Sequence, residues 1–210
     1  MHRWPLAIAI VTILAIFSVS CDSEDTTSLP VYNDIPSFSL SDQMGQTFTR
    51  DELNGKVALA NFIFTNCTQF CTTLTTRMIK MQTILENEDL LGNSVLILSF
   101  SVDPNHDTTD ILYSYAENHG ANHSAWRFLT GSPEVVKKVV MDGFNLSYGQ
   151  NKEINKHIHK DGSIHIHEYD VFHTNRMVLI DKSGRIRAYY DTTQDWDEDI
   201  IINDILNLLR

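Results

Sequence analysis

Val57-Ala58-Leu59-Ala60-Asn61-Phe62-Ile63-Phe64 is an almost unbroken apolar run behind the turn-forming Asn54-Gly55-Lys56. Its length and flanks predict a strand buried on both faces. Residues 72–91 read as helix, because Leu74, Met78, Met81 and Leu85 recur at helical spacing. Residues 94–102 predict a second buried strand. Asp107 is expected as the N-cap of a helix whose Ile111, Leu112, Tyr115 and Ala116 share a face until Gly120. Phe128-Leu129 predicts a short strand, and Pro133 is placed to open a helix over 135–141. Met177-Val178-Leu179-Ile180, the turn Asp181-Lys182-Ser183-Gly184 and residues 185–190 predict a β-hairpin. Asp195 is expected to cap a last helix carrying Ile201, Ile205, Leu208 and Leu209 on one face.

Strand, helix, strand, helix, hairpin, helix is the order of an α/β domain of thioredoxin-like type, with a central mixed sheet flanked by helices. Residues from about 145 to 173 interrupt it with a polar, His-rich insertion that predicts a β-hairpin of its own. The expected organisation is an export signal at 1–20, a modified cysteine and tether at 21–34, and the domain at 35–210. Residues 5–20 are uncharged and mostly apolar, and Arg3 precedes them. One early positive charge, a short apolar run and small residues at its end fit an export signal. The run is shorter than the roughly 20 residues of a spanning helix. It ends at Ser18-Val19-Ser20-Cys21, which resembles a bacterial lipobox with Ser18 where Leu is usual. Cys21 would then carry lipid, and acyl chains would hold the domain on the outer face of the cell membrane, as a periplasmic-side lipoprotein. A plain signal peptide or an uncleaved anchor is the alternative.

Composition narrows the chemistry. The chain has 210 residues, 42% of them hydrophobic, enough for one packed domain. Its 27 acidic against 16 basic side chains give a net charge of -11, which argues against nucleic acid as a partner. Three cysteines exclude a small disulfide scaffold.

Two of those cysteines form Cys67-Thr68-Gln69-Phe70-Cys71, where the first long strand runs into its helix. On a helix, four-residue spacing puts both sulfurs on one face, about 5–6 Å apart at Cβ. A helix N-terminus favours thiolate. Two close thiolates suit Cu(I), or they can close a disulfide; two inert buried cysteines would be the bland case. His173, in Val171-Phe172-His173-Thr174-Asn175-Arg176, precedes the third long strand. In a thioredoxin-like sheet that loop faces the first strand–helix junction, where thioredoxin-type oxidoreductases carry a cis-proline. The five prolines, Pro5, Pro30, Pro36, Pro104 and Pro133, all lie elsewhere. His173 is therefore either a third soft-metal ligand or a structural hydrogen-bonder.

Phe64-Thr65-Asn66-Cys67 through Cys71, Ser101-Val102-Asp103-Pro104 with Asp107, Trp126-Arg127-Phe128-Leu129-Thr130-Gly131, and His173-Thr174 with Leu179-Ile180-Asp181 and Gly184 occur in this order. Together, over residues 33–209, they resemble the Sco/SenC family. Its members are membrane-tethered, thioredoxin-fold copper proteins that help assemble the copper centre of cytochrome c oxidase. The resemblance implies copper as Cu(I) or Cu(II), with Cys67, Cys71 and His173 as ligands. It also implies a role near the site for Asp103 and Asp107. Thr68 and Thr72 stand where many members have proline after each cysteine.

The insertion holds a second candidate. His157, His159, His165 and His167 alternate with other residues about Asp161-Gly162. A two-residue Asp161-Gly162 loop would pair His159 with Ile164 and put the two histidine pairs on opposite faces. A three-residue loop would pair His157 with His165 and align all four on one face, where they could form a Cu(II) or Zn(II) site. A polar face over an isoleucine face is the alternative. His106, His119 and His123 are expected at solvated loops or helix ends.

The function expected is a metallochaperone that passes copper to a thiolate site on the apo copper subunit of cytochrome c oxidase, or to another copper recipient. A thiol reductant protein is the expected partner for Cys67 and Cys71. The main alternative is an extracytoplasmic thiol–disulfide oxidoreductase using the same pair. A peroxidase-like thiol enzyme and a metal-buffering lipoprotein are further alternatives.

Overall fold

The computed structural model describes residues 29–66, 71–146, 149–151, 155–158, 164–167, 170–172, 175–193 and 196–210, with backbone only for 71–72 and from 149 to 172. The strands are β1 (Asn33–Asp34), β2 (Ser39–Ser41), β3 (Thr47–Thr49), β4 (Val57–Ile63), β5 (Val95–Ser101), β6 (Trp126–Leu129), β7 (Gly149–Asn151), β8 (Asn155–Ile158), β9 (Ile164–His167), β10 (Asp170–Phe172), β11 (Arg176–Ile180) and β12 (Arg185–Asp191). The helices are α1 (Cys71–Asn87), α2 (Thr109–His119), α3 (Pro133–Lys137) and α4 (Glu198–Leu209). A 3-10 turn covers Arg50–Leu53, and a π-helical turn covers Lys138–Gly143.

The main sheet has the order β1-β12-β11-β4-β5-β6. β4, β5 and β6 are parallel, whereas β11 runs antiparallel to β4 and pairs with β12 as a hairpin. This is the mixed, thioredoxin-like sheet that the order of elements implies. Strand alternation explains how the two apolar runs are used. Ala58, Ala60, Phe62, Leu96, Leu98 and Phe100 face one layer, built by α3, the π turn and the β2–β3 hairpin. Val57, Leu59, Ile63, Val95 and Ile97 face the other, where α1, α2 and α4 lay down Leu74, Met78, Leu112 and Ile201. Every residue of β4 and β5 is buried, so neither strand needs a polar side.

Three details differ from the sequence reading. Asp107 does not cap α2: Thr108 has the extended backbone of an N-cap, and its hydroxyl accepts the amide of Ile111. That frees Asp107 for other partners. At α4 the cap is Asp197 rather than Asp195, with its carboxylate accepting the amides of Asp199 and Ile200. The helix opened by Pro133 changes to π geometry at Lys138 and ends at Gly143, where a Cβ would sit 2.5 Å from Pro36 Cδ.

The insertion begins and ends as a two-stranded ribbon, with Gln150 opposite Val171 in β7 and β10. Between them, β8 and β9 pair His157 with His165 and Ile158 with Ile164. This is the register of the three-residue loop, not of the two-residue Asp-Gly turn; residues 159–163, including His159, lie outside the described residues.

Residues 1–28, with the expected signal and Cys21, also lie outside the described residues. Among the described residues no helix is long and apolar enough to cross a membrane. The chain from Leu29 is already tied to the domain. Arg187 donates to the carbonyls of Leu29 and Pro30, and Asn33 pairs with Ile186.

Candidate metal centre

The candidate ligands come from segments that the sheet brings to one end. α1 runs from Cys71, so the backbone places this cysteine in the first described turn of the helix. The intervening Cys67 and residues 68–70 lie outside the described residues, as does His173. Their flanks are described. β11 pairs antiparallel with β4, Val178 opposite Ala60, so the N-terminal end of β11 lies at the C-terminal end of β4. The chain therefore enters the cysteine motif and leaves the His173 segment at the same edge of the core.

A polar link spans these flanks. Arg77 of α1 donates to the carbonyl of Thr192. The Thr192 amide and hydroxyl both donate to the carbonyl of Asn175, at 2.9 and 2.7 Å. Asn175 is two positions beyond His173. Arg77 also lies 5.0 Å from the centre of the Trp196 ring, which holds its guanidinium in place. Sequence reasoning missed this link. An isolated arginine and a threonine in different elements carry no motif, and only the fold brings them together.

On the other flank, Asp107 is fully buried beneath the segment that leads to Cys67. The Thr65 hydroxyl donates to one carboxylate oxygen at 2.6 Å, and the Ser101 hydroxyl donates to the other at 2.6 Å. The Thr65 amide reaches both oxygens, at 3.2 and 3.3 Å. His106 completes the set, with Nδ1 3.0 Å from Asp107 and Nε2 3.1 Å from the Asn66 amide nitrogen. An amide nitrogen can only donate, so Nε2 accepts and the imidazole proton sits on Nδ1, toward the carboxylate. The solvated histidine expected at 106 is thus part of the site's frame, although its side chain remains 36% exposed. His123 is likewise engaged, lying between Gln43 at 3.1 Å and Glu117 at 2.6 Å. His119 ends α2, as expected.

Asp103 is buried too. Its carbonyl accepts the amides of His106 and Asp107, closing the turn that presents both side chains. The structure therefore brings Asp107 to Thr65, and His106 of the turn begun by Asp103 to Asn66, the two residues before Cys67. His157, His165 and His167 belong to the strands of the insertion's ribbon. Among the residues whose side chains are described, no three metal-ligating groups converge.

Two thiolates and an imidazole are a soft donor set suited to Cu(I), and the two thiols can also join as a disulfide. The SCO1/SenC family model matches residues 29–210. Among solved structures the chain is similar to a SCO1/SenC family lipoprotein from Bacillus anthracis, at 30% identity and TM-score 0.69, over 85% of this chain and 96% of that one. It is similar to BsSco, a member of the Sco family of cytochrome c oxidase assembly proteins that has a disulfide switch, at 28% identity and TM-score 0.67, over 87% and 98% of the two chains. It is also similar to copper-bound ScoI of Arabidopsis thaliana, at 26% identity and TM-score 0.63, over 83% and 96%.

Proposed function

This chain belongs to the SCO1/SenC family, and from that premise we propose that it is a copper-binding metallochaperone of cytochrome c oxidase assembly. Reduced Cys67 and Cys71, with His173, hold copper at the end of the sheet where α1 begins. The cargo leaves by ligand exchange to a thiolate site on the apo copper subunit, each recipient sulfur joining before a donor lets go. Oxidation of Cys67 and Cys71 joins the two sulfurs, gives two electrons to the oxidising partner and withdraws both thiolates, so it gates loading. A thiol reductant protein restores the pair. The export signal at 1–20, a lipid on Cys21 and a following tether place the domain on the outer face of the membrane.

One observation supports this reading most. The β4–β11 register and the Arg77–Thr192–Asn175 link hold the flanks of the cysteine motif and of His173 at one edge. The copper bound by the Arabidopsis relative agrees with it. The disulfide switch of BsSco favours a second activity of the same pair, thiol–disulfide exchange with a partner's cysteines.

The test is a Cu(I) competition titration of the full chain in detergent micelles, with the pair reduced and then oxidised. The reading expects one Cu(I) per reduced chain, little binding when oxidised, and weakened binding in Cys67→Ser, Cys71→Ser and His173→Ala. Full affinity in His173→Ala together with brisk thiol-reductase turnover would favour the oxidoreductase.

A further inference from the structure

The insertion carries a motif that the thiol site does not use. His157 lies in β8, and His165 and His167 alternate with Ile164 and Ile166 in β9. The ladder pairs His157 with His165 and Lys156 with Ile166. Directly opposed residues of an antiparallel pair share a face and lie about 4.5–5.5 Å apart. Residues two apart on one strand share that face as well. The register therefore puts His157, His165 and His167 on one face of the ribbon, and Ile158, Ile164 and Ile166 on the other. His167 is the diagonal neighbour of His157, about 7–8 Å away along the backbone. A slip of one residue would have separated the strands' histidines.

We propose that this face is a second metal site, built from His157, His165 and His167, for a divalent transition-metal ion, and that the ion is Cu(II). Neutral imidazoles suit borderline ions, and Cu(II) stands at the top of the divalent affinity order. A net charge of -11 raises the local cation concentration around the chain. The ribbon is also the chain's approach to the other site, since β10 ends at Phe172, one residue before His173. The proposal does not rest on copper binding at the cysteines.

The test uses untagged full chain in detergent, with Cys67→Ser, Cys71→Ser and His173→Ala combined to silence the thiol site. Copper(II) sulfate is titrated calorimetrically, and pulsed electron paramagnetic resonance counts the coordinated imidazoles. The expected result is one Cu(II) per chain with at least two imidazoles, lost when His157→Ala and His165→Ala are added. The same two substitutions in the natural-cysteine chain should leave Cu(I) binding unchanged, which also reports that the domain is folded. No Cu(II) binding, one imidazole or none, or binding that survives the histidine substitutions would overturn the proposal. Failure of Cu(I) binding in the natural-cysteine chain would instead count against the function proposed above.

Discussion

The two ends of the central sheet each bury a carboxylate, and they use it differently. At the base, Asp181 accepts from the amides of Ser183 and Arg185 and from the guanidinium groups of Arg185 and Arg187, at 2.9–3.0 Å. Burial pushes this carboxyl up, but the hydrogen bonds from Arg185, Ser183 and Arg187 outweigh it and hold the group below the usual carboxylate range. The turn is locked further by Arg50, which donates to the carbonyls of Ile35 and Ser183 and packs where a Cβ on Gly184 would sit, 2.8 Å from Nη2. At the mouth, Asp107 is held by two hydroxyls, one amide and one imidazole. Among the described residues no arginine or lysine pairs with it. A carboxylate balanced by cations is a structural lock. One held by hydroxyl, amide and imidazole donors instead fixes the segment that leads to the candidate metal ligands.

The contrast sets an order of effects. Asp181→Asn should cost the most stability, about 2–3 kcal/mol by urea unfolding at neutral pH, because it leaves the half-buried Arg187 facing a neutral amide. Its copper affinity should stay unchanged. The same substitution should flatten the acid limb. A depressed folded value means that the Asp181 contribution is present above the unfolded value of about 3.9 and fades as pH falls through the folded one. A wild-type and Asp181→Asn pair that lose stability in parallel below pH 4 would remove the lock from the account.

Asp107→Asn should cost less in folding, about 1–2 kcal/mol, since the amide keeps one acceptor for the hydroxyls. It should weaken Cu(I) retention more than Asp181→Asn does, and the reverse ranking would break the comparison. Thr192→Val should cost about 1 kcal/mol for the lost hydroxyl bond to Asn175. It should also loosen the segment next to His173, which would read as faster copper loss to a chelator. His106→Ala should have the smallest effect on folding, within about 0.5 kcal/mol, because the ring is a third exposed. It should be visible mainly as a shifted reduction potential of the cysteine pair.

The residues that carry the fold declared themselves in sequence where one physical effect dominated. Residues 57–64 and 95–101 are apolar apart from Asn61, Ser99 and Ser101 because both faces of β4 and β5 are covered. Helix caps were less legible for a clear reason. Asp107-Thr108 and Asp195-Trp196-Asp197 each offer two capping side chains within three positions, and backbone dihedrals set by tertiary packing choose between them. The freed Asp107 then became part of the site's frame. The π turn at Lys138–Gly143 carried no periodicity signal, and its last residue packs against Pro36 from another segment, where a Cβ would sit 2.5 Å from Pro36 Cδ. The histidine ribbon was legible down to two registers, and only the backbone ladder distinguished them. The link from Arg77 through Thr192 to Asn175 joins positions more than a hundred residues apart, which periodicity cannot see.

X-ray absorption at the copper edge tests the central claim most directly, using the full chain reduced and loaded with one Cu(I). The account predicts a low-coordinate centre with two sulfur ligands and one imidazole nitrogen, the nitrogen disappearing in His173→Ala. A spectrum with nitrogen ligands alone, or one unaltered by His173→Ala, would contradict it.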